Sequence, residues 1–281
     1  MSGHLPSRFR KAFQVVAAVA LSALTMAAWA HDTWFEAQPG SASSSAWRLR
    51  LGTGAQFPVL ESSPGDAGFS QLGCRQGQGA ALPMRRVGGD ARAALLEAKL
   101  PPPRPGGGLT TCWAQLLPYE LELKPALIEA YFKEIAAPQA VRNVWASWQA
   151  QGRPFTERYT KHARIETWAR SATEGQAQAG TPAPLGMDIV LDEAGQAPRR
   201  GQVLRFQVLR DGVPLADQPI EARSALSPLG LWLQTDAQGR AEIRLPLAGR
   251  WLLRGTDLRP SESQPMTWES RFVTLAFDAV P

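Results

Sequence analysis

Two histidines of this sequence could bind a transition metal. His31 directly follows Ala28-Trp29-Ala30, whose small residues suit signal peptidase. Cleavage after Ala30 would leave His31 as the first residue. An α-amino group ordinarily titrates near ~8 and an imidazole near ~6.5, so an N-terminal histidine can chelate copper, nickel or zinc through both groups around pH 7. Without the leader, the chain contains one other histidine, His162. We therefore expect a metal site where His31 and His162 meet.

The first 30 residues have the pattern of a signal peptide. Arg8, Arg10 and Lys11 are basic and precede an uncharged apolar run from Phe13 to Ala28. This run of roughly 16 residues is shorter than the ~20 that a spanning helix needs. We expect Sec export to the periplasm and cleavage after Ala30, with an uncleaved anchor as the alternative. No later stretch is long and apolar enough to cross a membrane, so the processed chain is not expected to be transmembrane.

Composition excludes a nucleic-acid partner. The 281 residues are 44% hydrophobic and include ten Trp, which is enough for a substantial core. Removing the three leader cations lowers the formal charge from +5 to +2. No block of Lys and Arg remains that would suit nucleic acid.

The two cysteines, Cys74 and Cys112, predict a disulfide. In an oxidising compartment a lone pair usually forms a bridge. The closed loop would span about 38 residues and contribute ~3–4 kcal/mol in the chain-entropy model. Metal-binding thiolates are the alternative, but the sequence lacks a CxxC spacing.

The first part of the exported chain, residues 31–170, reads as a β-rich region with a helical insertion at about 124–151. The alternating segment Trp47–Leu51 is typical of a half-buried strand. Within the insertion, apolar residues recur at helical spacing and Pro138 separates two short helices.

Residues Tyr159–Trp168 predict a strand with two distinct faces. Period two places His162 on one face with Thr160, Arg164 and Glu166. Lys161, Ala163, Ile165 and Thr167 lie on the other face. We therefore expect His162 at a polar surface or cleft.

The C-terminal part predicts a β-sandwich. Residues 171–184 are rich in Gly, Ala, Gln, Thr and Pro and indicate a linker or loop. Residues 185–281 then contain seven strand-like runs, with hairpin turns at Asp211-Gly212 and Asp236–Gly239. The chain is therefore expected to be mainly β, with an immunoglobulin-like or transthyretin-like sandwich at its C-terminal end.

Five segments resemble one family. They are the His-Asp-x-Trp start at 31, "PFTERYTKHARI" (154–165), "DGVPLADQPIEA" (211–222), "TDAQGRAEIRLPLAGRWLLRG" (235–255) and "WESRFVTLAF" (268–277). Together they are similar to exported bacterial proteins of the DUF4198 (NikM-like) family, associated with nickel and cobalt uptake. The resemblance implies a periplasmic β-sandwich that binds nickel, cobalt or copper, with a membrane metal transporter as a candidate partner. Such sequences often carry a histidine where this chain has Asp257, a harder and weaker ligand for these metals.

Two alternative functions remain open for this chain. A terminal His with a second His also forms the copper brace of oxidative polysaccharide-cleaving enzymes, with Tyr159 as the axial group. Alternatively, the sandwich is an interaction module that recruits a transporter. We expect no enzyme, because the chain lacks GxSxG, HExxH and a glycine-rich phosphate loop. Glu166 and Asp257 are the candidate carboxylate ligands or orienting groups.

Overall fold

The structure is a computed structural model that divides the chain into two units, Met1–His31 and Asp32–Pro281. It describes residues 31–38, 46–64, 68–101, 108–169 and 179–281. The expected leader and residues 171–178 of the expected linker lie outside the described residues.

Seven strands occupy the first part of the larger unit. They are β1 (Asp32–Ala37), β2 (Ala46–Gly54), β3 (Phe69–Gln76), β4 (Leu82–Gly89), β5 (Ala94–Lys99), β6 (Leu109–Leu116) and β7 (Tyr119–Leu123). Strand β2 contains the alternating Trp47–Leu51 segment, as predicted.

Two helices follow, where the sequence predicts a helical insertion. They are α1 (Pro125–Glu134) and α2 (Gln139–Ala150). The apolar stripe of α1 is buried at Ile128, Tyr131 and Phe132, and Trp145 of α2 is buried as well. The rings of Tyr131, Phe132 and Trp145 pack on Phe155, the first residue of the next strand. The helices therefore cover one face of the sheet to which that strand belongs. Among the described helices, none is both long enough and apolar enough to span a bilayer.

The remaining strands build two sheets. They are β8 (Phe155–Trp168), β9 (Met187–Leu191), β10 (Val203–Arg210), β11 (Val213–Pro214), β12 (Pro219–Ser224), β13 (Leu231–Gln234), β14 (Arg240–Arg244), β15 (Gly249–Pro260) and β16 (Trp268–Ala279). The 12-stranded sheet runs β1-β2-β5-β4-β3-β6-β8-β16-β15-β12-β13, with β7 also paired to β8. A second sheet has the order β11-β10-β14, with β9 paired to β10. The expectation of a mainly β chain with a short helical insertion is confirmed.

Strand β16 shows how the two sheets stack. Its residues Val273 and Leu275 enter a core with Ile189 of β9 and Phe206 of β10. On its other face, the Thr274 hydroxyl donates to the carbonyl of Thr33 in β1, at 2.6 Å. The centre of the large sheet is therefore covered on both sides.

The predicted disulfide is confirmed. Cys74 and Cys112 are bonded to each other and face each other across β3 and β6. The bridge joins residues 38 apart in sequence, and no free cysteine remains in the part of the chain that is described.

The large sheet continues across the boundary expected at 171–184. Strand β16 pairs in parallel with β8, from Trp268 opposite Glu157 to Phe277 opposite Glu166. Strand β16, the last strand of the expected C-terminal domain, therefore has one of its two neighbouring strands in the N-terminal region. The expected division into a region at 31–170, a linker at 171–184 and a sandwich at 185–281 stays a prediction.

Candidate functional site

Strand β8 presents its side chains to two different environments. Ala163 and Ile165 belong to the core that includes Trp34 of β1. Arg164 points the other way and bonds Asp188 of β9. Because side chains alternate along a strand, His162 shares the face of Arg164 and lies towards the second sheet.

His162 is a buried, neutral imidazole. Its side chain is almost fully enclosed, and Nδ1 lies 2.9 Å from the carbonyl oxygen of Phe272. A carbonyl only accepts, so Nδ1 carries the proton and Nε2 keeps its lone pair. Burial, together with a smaller effect of the Arg271 charge, lowers the pKa of His162 to about 4, although the bond to Phe272 opposes this. At neutral pH the ring is therefore uncharged, which is the form that binds metals.

The residue lines a polar cleft of about 210 Å³. Arg158 and Arg271 supply positive charge to its wall, and Asp211 and Glu269 supply negative charge. Among the described residues, the structure gives Nε2 no hydrogen-bond partner. The cleft thus combines one unprotonated nitrogen with balanced fixed charges.

Gly186 closes one side of the cleft without a side chain. Its N–H donates to Oε1 of Gln115 at 2.9 Å, and its carbonyl accepts from Nη1 of Arg271 at 2.6 Å. A Cβ at this position would lie 3.1 Å from Nε2 of His162 and 3.3 Å from Nη1 of Arg271. Any larger residue would therefore crowd the imidazole nitrogen.

The carboxylates of the cleft are already paired with arginines. Asp211 lies 2.7 Å from Nη1 of Arg271. Glu269 lies between two guanidinium groups, 3.6 Å from Arg210 and 3.7 Å from Arg271. These acids neutralise the arginines and are poorly placed to give their charge to a metal.

Asp257 belongs to the same charged network but is occupied. Its Oδ2 accepts a bond from Arg210, and its Oδ1 accepts one from Nε of Arg259 at 2.8 Å. Both oxygens are thus engaged by cations. In this arrangement Asp257 positions Arg210 beside the cleft.

Glu166 is also committed to an arginine. It is fully buried and lies 2.5 Å from Nη2 of Arg164, whose Nη1 lies 2.8 Å from Asp188. Burial raises the pKa values of Glu166 and Asp188, and the Arg164 charge opposes this. The trio is a structural ion cluster between the sheets, because removing one partner would leave an uncompensated buried charge.

A second group of buried titratable side chains occupies the opposite face of the large sheet. Burial raises the pKa of Glu157 to about 7, against hydrogen bonds from Ser270 and Tyr131. Burial lowers the pKa of Lys161 to about 8, although nearby carboxylates including Asp32 oppose this. The Asp32 carboxylate lies 3.0 Å from the Arg254 guanidinium. Asp32 and His162 therefore belong to opposite faces of one sheet.

Tyr159 also lies on the face away from His162. Its ring packs against Phe272 and Tyr119, with centroid distances of 5.9 Å and 5.6 Å. Burial raises the pKa of Tyr159 to about 12. The phenol therefore stays protonated at neutral pH, and its role as an axial group stays a prediction.

The described residues do not form a full set of metal ligands at His162. Among the described ranges, no group of three or more His, Cys, Asp or Glu side chains could hold a metal. The chelate at His31 depends on cleavage after Ala30, which lies outside those ranges, so it stays a prediction.

The sequence patterns did not indicate most of the cleft lining, including Arg158, Gly186 and Arg271. Arg158 shares the period-two face of His162, so the alternation could have indicated it. Gly186 and Arg271 come from distant segments, and only the parallel pairing of β8 with β16 and the stacking of β9 bring them to His162.

The fold and the cleft define a class of protein: a disulfide-bonded, mainly β protein with a polar cleft beside the central strands of its large sheet. The sequence matches the family described as "Domain of unknown function (DUF4198)" over residues 28–256, and the chain belongs to that family. Among solved structures, the D0-D1 domain of Intimin is similar at 11% identity, with 89% of this chain and 98% of that chain covered and a TM-score of 0.21. No curated protein gives a significant match.

Proposed function

We propose that this chain is a periplasmic protein that binds nickel, cobalt or copper for metal uptake or homeostasis, with His162 as the imidazole ligand. One observation carries the proposal. The Nδ1–H of His162 is fixed by the carbonyl of Phe272, which leaves Nε2 unprotonated beside a polar cleft. A backbone carbonyl that orients the ring in this way is the usual partner of a metal-binding histidine.

The proposal assigns His162 to the cleft. A shared site of His31 and His162 stays a prediction, and so does a separate chelate formed by the amine and imidazole of a processed His31. Asp257 acts through Arg210 and does not bind the ion.

Calorimetry on protein that begins at His31 tests the proposal. The His162→Asn variant retains an amide donor near the Nδ1 position but lacks Nε2. The Gly186→Ala variant leaves His162 intact and places a methyl group against Nε2. We expect both to weaken nickel and copper binding at the cleft at least about tenfold, since even changes to outer-shell partners of a ligand commonly cost 10–100-fold.

Two further variants separate the sites. His31→Ala should remove the terminal chelate and leave binding at the cleft intact. Arg205→Gln, at an exposed pair outside the cleft, is the matched control for handling and folding. Metal binding that is unchanged in both His162→Asn and Gly186→Ala would refute the assignment. Absence of binding in every protein would refute the proposal and favour the interaction-module alternative.

A further inference from the structure

We propose that strand β13 is a pairing edge, at which a second copy of this chain adds its own β13 in antiparallel orientation. The large sheets of the two copies would then join across a twofold axis. This inference goes beyond the proposed function, because it concerns a different surface and involves no metal. Strand β13 ends the large sheet, and β16, β15 and β12 separate it from β8, the strand of His162.

Exposed apolar side chains gather at this edge. Leu226 and Leu229, in the loop that joins β12 to β13, are 70% and 77% exposed, and Leu231 and Trp232 of β13 are each 44% exposed. Exposed apolar side chains that lie together typically mark an interaction site. From Ser224 to Thr235 the chain contains no charged residue. Two copies can therefore approach here without repulsion between like charges.

The backbone of β13 calls for a strand as its partner. Among the described strands, only β12 pairs with it. The N–H of Thr235 donates to the carbonyl of Gln218, directly before β12, at 3.1 Å. Because successive residues of a strand direct their N–H and C=O groups to opposite sides, those of Trp232 and Gln234 point away from the sheet. Another strand can bond these groups, whereas the hydrocarbon of a lipid surface cannot.

The smaller sheet ends in a strand that is protected against such pairing. Strand β14 is the last in the order β11-β10-β14, and it carries Arg240, Glu242 and Arg244 at alternate positions. All three residues are exposed. Charged side chains of this kind commonly prevent an edge strand from pairing with another chain. Strand β13 has no such protection, which indicates that its edge is used.

The occupant is a second copy because the edge is complementary to itself. The other end of the large sheet is β1, whose residues 32–35 are buried, so a head-to-tail arrangement is closed off. Pairing of β13 with β13 remains, and it closes as a symmetric dimer. When Trp232 lies opposite its own copy, Leu231 lies opposite Leu233 of the second copy. Both leucines share one face of the strand, so apolar side chains meet apolar side chains.

Sedimentation equilibrium on the chain that begins at His31, in metal-free buffer with EDTA, tests the inference. Strand β13 has only four residues, so the interface lies at the small end of specific interfaces, near ~1,200 Å². We therefore expect a reversible monomer–dimer equilibrium at about micromolar concentrations. Amide exchange at Trp232 and Gln234 should slow as the protein concentration rises, because their N–H groups become bonded in the dimer.

Three variants act on the edge in different ways. Gln234→Pro removes an outward N–H and leaves the bonds to β12, since Gln234 stands opposite Pro219. Trp232→Lys gives β13 the kind of charge that β14 carries, and Leu229→Asp places a charge in the loop. We expect each to weaken dimerisation at least about tenfold, as substitutions at the centre of an interface do. The control Arg205→Gln should dimerise like the wild type, and urea midpoints show that each variant is folded.

Three results would overturn the inference. They are a chain that stays monomeric at every concentration, a dimer whose affinity is the same in all three variants, and a monomeric chain that cosediments with phosphatidylglycerol vesicles. The last result would assign the exposed leucines to a lipid surface. None of these results changes the state of His162, so the inference can fail while the proposed function stands.

Discussion

The neutral state of His162 gives the sharpest prediction about the metal-free protein. Its folded-state pKa is about 4, against 6.5 for an ordinary histidine. Between pH 4 and pH 6.5 the imidazole is therefore protonated in the unfolded chain and neutral in the folded chain. By linkage, the contribution of His162 to the free energy of unfolding is complete above pH 6.5 and is lost as pH falls towards 4. At 1.36 kcal/mol per pKa unit the loss is about 3 kcal/mol.

The His162→Asn variant isolates this contribution. Asn keeps a donor for the Phe272 carbonyl and does not titrate, so other groups cancel when the two stability curves are subtracted. The assay is urea unfolding followed by Trp fluorescence at intervals from about pH 4 to pH 8. We expect the stability of the wild type relative to the variant to rise with pH by about 3 kcal/mol over this window.

Two outcomes would refute the reasoning. A flat difference curve would mean that the imidazole titrates in the folded chain as it does in water, so that the cleft is open to solvent. A difference that falls as pH rises would mean that the folded chain stabilises the imidazolium, and that Nε2 is protonated at the pH where we expect it to bind a metal.

Three further predictions concern other parts of the structure. The pKa of Glu157 is raised to about 7 from 4.5, so its contribution has the opposite sign: wild-type stability relative to Glu157→Gln should fall by about 3 kcal/mol as pH rises from 4.5 to above 7, measured by the same urea assay. Replacing Cys74 and Cys112 by alanine should lower the free energy of unfolding by about 4 kcal/mol, and an unchanged urea midpoint would contradict this. Residues 185–281 expressed alone should show no cooperative thermal transition, because β16 loses its partner β8; a sharp transition would show that the expected C-terminal domain is independent.

Local patterns in the sequence determined much of this protein. The period-two alternation from Tyr159 to Trp168 separated the faces of β8, because alternate side chains of a strand must point to opposite sides. The helical spacing around Tyr131 predicted the insertion, and the pair Cys74 and Cys112 predicted the bridge. Each of these features depends on residues that are close in sequence or on a single pairing choice.

The tertiary structure alone decided the composition of the cleft. Parallel pairing of β16 with β8 brings Arg271 close to His162, although the two residues are far apart in sequence. The segment that leads into β9 of the second sheet adds Gly186. The same arrangement assigns Asp257 to Arg210 and Arg259, and it turns Asp32 away from His162. The sequence cannot reveal these pairings of side chains. The charge and burial around a side chain depend on strands that approach from distant parts of the chain, and the residue type alone does not determine which strands those are.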